Sequence, residues 1–102
     1  MIQLWNVKLA KKEQERRRTI LIGVKNLVQK AIEEWRYVGK TSDWRYVYLK
    51  DLYDDLQNFL YWTDFMWEPY LVSIEEVDYY VNLWRDMNGT FKKDLKKMLE
   101  EA

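Results

Sequence analysis

The chain has 102 residues, 17 of them Lys or Arg and 17 Asp or Glu, so its formal net charge is zero. It has no Cys and no His, which excludes disulfides, thiolate chemistry, Cys- or His-ligated metals and every His-based acid–base or nucleophilic arrangement. With 48% hydrophobic residues it is not a disordered chain, and no apolar run nears the ~18 residues that a membrane span needs.

The expected fold is all-α, a single domain over 1–102 built of two similar helix pairs, four main helices in all. Only 3 Gly and 1 Pro interrupt it, too few for a many-turned β protein. From Lys11 to about Val38, the residues Leu21, Val24, Val28, Ala31, Trp35 and Val38 step by three or four and make one apolar stripe. Gly39 then stands where a terminating glycine belongs. Gly23 lies inside the helix, where it costs ~1 kcal/mol against Ala or marks a close helix contact.

Thr41, Ser42 and Asp43 are three candidate caps for a second helix running to about Trp67, with Leu49, Leu52, Leu56, Phe59, Leu60 and Thr63 as its stripe. Its opening is ambiguous, because residues 44–49 alternate and are rich in strand-favouring types; they would pair with 2–9 as a short β-like ribbon. Pro69 ends that element. Ser73-Ile74-Glu75-Glu76 is a capping box, flanked by Val72 and Val77 as a hydrophobic staple. The third helix is expected to bury Ile74, Val77, Tyr80, Val81 and Trp84 and to end at Gly89. Thr90 then caps a short fourth helix carrying Phe91, Leu95, Met98 and Leu99.

Residues 20–64 and 73–101 read as an internal repeat. Val28, Ile32, Trp35-Arg36 and Gly39 match Val77, Val81, Trp84-Arg85 and Gly89, and Asp55-Leu56 matches Asp94-Leu95. Shared amphipathic spacing explains part of this match. This pattern, with the aromatic runs Glu34-Trp35-Arg36-Tyr37-Val38 and Asp43-Trp44-Arg45-Tyr46-Val47-Tyr48, resembles the small proteins of Acidianus filamentous viruses, which infect hyperthermophilic archaea. The resemblance implies a helical, non-enzymatic protein of two related motifs engaged in protein–protein contact; it transfers no site residue. An intracellular protein is expected, in the host cytoplasm or with the virion if viral.

Asp51, Asp54 and Asp55 share a helix face in the way a Mg²⁺ site would want, but a solvated acidic face explains them and no phosphate loop or EF-hand spacing accompanies them. No catalytic residue, metal or cofactor is therefore assigned. The basic residues Lys8, Lys11, Lys12, Arg16, Arg17 and Arg18 are the nucleic-acid candidates.

The neutral total hides two opposed halves. Residues 1–50 carry 12 basic and 5 acidic side chains, and residues 51–102 carry 5 and 12, which favours pairing within or between chains over a dedicated nucleic-acid binder. Of 17 aromatic residues, 15 fall between Trp35 and Trp84, more than so small a core readily encloses. The leading expectation is a protein-interaction or assembly module. An aromatic groove between the two motifs, drawn from Trp35, Tyr37, Trp44, Tyr48, Tyr61, Trp62, Phe65, Tyr79, Leu83 and Trp84, would take a peptide segment or another copy.

Overall fold

A computed structural model describes residues 2–65 and 72–101, with side chains described for 11–63 and 72–101. Three helices follow in order: α1 (Ile2–Tyr37), α2 (Trp44–Phe65) and α3 (Ile74–Glu101). The fold is all-helical, with no strand among the described residues; residues 2–9 and 44–49 are helix rather than a β-like ribbon.

The expected fourth helix is not separate. Gly89 and Thr90 lie inside α3, whose backbone continues through them. A glycine ends a helix only when the chain takes the left-handed conformation there. Gly39 does so, with φ of 78°, whereas Gly89 does not. The apolar stripe Val77, Tyr80, Trp84, Met87, Phe91, Leu95, Met98 also runs past Gly89 without a break in phase, so tertiary packing carries the helix through it.

The helix ends are held locally. At the end of α1 the Gly39 amide donates to the Arg36 carbonyl and the Lys40 amide to the Trp35 carbonyl, both at 3.0 Å, a Schellman closure. Of the three candidate caps for α2, Asp43 serves, its Oδ1 accepting from the Arg45 amide at 2.9 Å. Ser73 caps α3 by accepting from the Glu76 amide at 3.1 Å. The Glu76 carboxylate then accepts the Ser73 hydroxyl proton, a variant of the capping box in which it takes the side chain instead of the Ser73 amide.

α1 is the spine. Its backbone packs closely on both α2 and α3, while α2 and α3 meet mainly through side chains. Small residues on the α1 stripe (Val24, Val28, Ala31) permit the close approach, and rings on α2 and α3 fill the wider gap between them. Phe91 sits at the centre, edge-on to Trp35, Trp44 and Tyr48 with centroids 5.4 to 6.4 Å apart. The result is a rod of 65 × 22 × 16 Å whose radius of gyration, 17.0 Å, exceeds the ~13 Å of a compact chain of this length. A long spine with only one layer of helices on it exposes more surface than a globule, and that surface carries the aromatics described next.

Candidate interaction groove

The seam between α2 and α3 opens as a groove of about 260 Å³ lined by Tyr48, Asp51, Leu52, Asp55, Tyr79 and Leu83. Tyr48, Asp51 and Asp55 lie one turn apart along α2, and Tyr79 and Leu83 one turn apart along α3, so each helix presents one edge to it. Leu52 is buried and forms the floor; Tyr48 and Tyr79 are exposed at the rims. Trp44, exposed and in contact with Phe91, extends the aromatic edge one turn beyond Tyr48.

The carboxylates differ in their surroundings. Asp55 accepts a 2.7 Å hydrogen bond from the Tyr80 hydroxyl. Burial, then the bond to Asp55, pushes the Tyr80 phenol well above its ordinary pKa, so it stays a donor. That bond ties α2 to α3 beneath the groove. Asp51 is exposed and has no hydrogen-bond or ion-pair partner among the described residues.

The ten aromatic and apolar candidates do not form one groove. Tyr48, Tyr79 and Leu83 come together in the α2–α3 seam, with Trp44 at its end. Trp35 is 2% exposed and belongs to the core, where its ring meets Phe91; its spacing put it on the buried stripe, and there it stays. Trp84 faces the other way, into a groove between α1 and α3 shared with Ile20, Val24, Leu27 and Val81. Tyr37 is 91% exposed at the end of α1. Tyr61 and Trp62 pack edge-on at 5.6 Å on the outer face of α2 and remain exposed. The Phe65 side chain lies outside the described residues. A single hydrophobic stripe cannot tell which of its two flanks a neighbouring helix will cover, and this is what divided the set.

The basic stretch is largely engaged within the chain. Arg17 donates to the Val72 carbonyl at 2.8 Å and to Glu13 at 3.0 Å. Arg18 reaches the Leu60 carbonyl and the Thr63 hydroxyl, both at 3.4 Å, placing a cation at the negative end of α2. Arg16 grips both oxygens of Glu13, at 2.7 and 3.0 Å. These two arginines, Arg16 first, hold the Glu13 carboxyl down at about 2. Lys12 is exposed, Lys11 carries an interaction of its own, and the Lys8 side chain lies outside the described residues.

One important residue carried no signal as a site. Gln14, 2% exposed, exchanges two hydrogen bonds with the backbone of Val72: its Nε2 donates to the carbonyl at 3.0 Å and its Oε1 accepts from the amide at 2.9 Å. Its position three before Arg17 and seven before Leu21 continues the α1 stripe one heptad upstream, the one clue that it points inward. A second polar centre surrounds Arg45, whose guanidinium lies over Trp35 and Trp44 at 5.7 and 5.4 Å. Its buried Nε is 3.3 Å from an Asp94 oxygen, near enough for ion pairing but out of line for a hydrogen bond.

Among the described residues, no group of three or more acids comes together to hold a metal ion, so Asp51, Asp54 and Asp55 do not converge. No described helix is long and apolar enough to cross a membrane. Comparison of the chain with protein-family models, with characterised proteins and with solved structures gives no match in any of the three.

Proposed function

We propose that this protein is a non-enzymatic interaction and assembly module whose α2–α3 groove binds a cationic, amphipathic segment of a protein partner. The observation that carries this reading is the combination of open aromatic rims, Tyr48 and Tyr79, with two carboxylates, Asp51 and Asp55, over an apolar floor. Ring faces attract ammonium and guanidinium groups and cover their methylene stems, while carboxylates fix their positions. Leu52 and Leu83 then receive the apolar face of the same segment. Such a site favours Lys- or Arg-bearing helices over acidic or purely apolar ones, and its charges act on encounter rate and register more than on affinity.

Calorimetric titration with a short synthetic Lys/Leu amphipathic helix tests this. The wild-type chain is expected to bind it, and Tyr79→Ala to bind at least about tenfold more weakly, as the loss of a rim aromatic does at interfaces. Tyr79 is exposed, so the variant keeps its helical circular dichroism. Absence of binding by the wild type, or equal binding by a folded Tyr79→Ala, removes the proposal.

A further inference from the structure

We infer that the occupant of the α2–α3 groove is the lysine-bearing flank of α3 from a second copy of this chain, joining copies head to tail. This deepens the groove reading above and rests on it.

Four lysines crowd the C-terminal half of α3. Lys92 with Lys96 and Lys93 with Lys97 are like-charge pairs at i,i+4, an arrangement that destabilises a helix unless a counter-charge is supplied. All four are exposed, and none has a hydrogen-bond or ion-pair partner among the described residues; Asp94 is taken by Arg45, and Glu100 and Glu101, one turn beyond Lys96 and Lys97, form no ion pair with them. Lys92, Lys93 and Lys96 border an apolar hollow with Leu95 and Leu99, the latter 52% exposed. The flank is thus amphipathic and cationic, the chemistry the groove selects.

The spacings also agree. Asp51 and Asp55 are one turn apart on α2, about 6 Å along the axis, and Lys92 and Lys96 are separated by the same turn on α3. Two ion pairs can therefore form in register between antiparallel or parallel helices.

A single chain does not satisfy itself this way. The groove lies on the α2 side of α3, whereas the lysine hollow includes Asn88, which also lines the groove between α1 and α3. Two different patches on different flanks make a heterologous contact, which propagates into a ring or a filament rather than stopping at a two-fold pair. A zero net charge removes the long-range repulsion that would oppose such growth.

Sedimentation velocity of the whole chain, from about 10 μM to about 1 mM, decides the matter. At about 20 mM salt the mass is expected to rise with concentration, and at about 500 mM salt association is expected to weaken by about tenfold or more. Asp51→Lys, and separately Lys92→Glu with Lys96→Glu, each change exposed, unpartnered positions and should give single chains at low salt. Mixed in equal amounts, these two variants should associate again, because the lysine flank kept by the Asp51→Lys chain fits the unaltered groove of the other. A wild-type chain that stays single throughout, variants that associate as the wild type does, or a mixture that fails to restore association each overturns the inference. If the chain stays single but binds the Lys/Leu peptide, only the self-pairing is lost and the groove reading stands. Binding of a single-stranded oligonucleotide by a chain that stays single, abolished by Lys92→Glu with Lys96→Glu, overturns it in favour of a phosphate partner.

Discussion

At the scale of single residues, the buried polar groups do more than their small number suggests. Gln14 answers both backbone groups of Val72, and its replacement leaves a buried amide without an acceptor. Gln14→Ala is expected to cost about 2 kcal/mol or more in urea denaturation, well above a typical exposed glutamine. Tyr80 and Glu13 set the pH limits in opposite directions. The Tyr80 pKa is raised in the folded chain, so its contribution is complete below about pH 10 and is lost as the unfolded phenol ionises above that. The Glu13 pKa is lowered to about 2, so its contribution is present above the ordinary carboxyl range and fades as pH falls from about 4.5 toward 2. Thermal melts across pH should show both limbs. Tyr80→Phe should flatten the alkaline limb alone; an unchanged limb would show that another group causes it.

At the scale of elements, the three glycines separate by backbone conformation. Gly39 is left-handed, and an added Cβ there meets no atom within 4 Å, so Gly39→Ala is expected to cost about 1 kcal/mol through the backbone alone. Gly23 and Gly89 are helical, exposed and equally uncrowded. Gly23 therefore marks no close helix contact, and Gly23→Ala and Gly89→Ala should each stabilise by up to about 1 kcal/mol. A loss of stability in Gly89→Ala would mean that α3 does break there. The same feature separates the two repeat-like stretches: residues 20–64 turn at Gly39 into α2, and residues 73–101 run straight through Gly89 as one helix. Sequence similarity in an amphipathic stripe says nothing of the φ angle at its glycine.

For the whole molecule, Phe91 is the point where all three helices meet. Its ring touches Trp35 of α1 and both Trp44 and Tyr48 of α2. Phe91→Ala is expected to cost 3–5 kcal/mol, roughly half of what a domain of this size holds in reserve, with the loss read as a lowered urea midpoint. Because α2 and α3 meet mainly through such rings, the same substitution should also loosen the groove. Amide hydrogen exchange along α2 and α3 beside the groove should quicken with it. The elongated rod also explains why so many aromatics stay accessible: one layer of helices on a long spine cannot enclose them.

The amino-acid sequence alone determined the helical class outside residues 2–9 and 44–49, the stripes of α1 and α2, the Gly39 stop, the Ser73 cap and the division of charge between halves. These are local or periodic properties, set by spacing, capping chemistry and composition. Only the tertiary structure decided that Gly89 is crossed, that Trp35 is core while Tyr48 and Tyr79 face each other across a seam, and that Arg17 and Arg18 are bound inside the chain. Each of those depends on which flank of a stripe the next helix covers and on how far apart ring size holds the helices. A side chain's own neighbours in sequence do not fix either quantity.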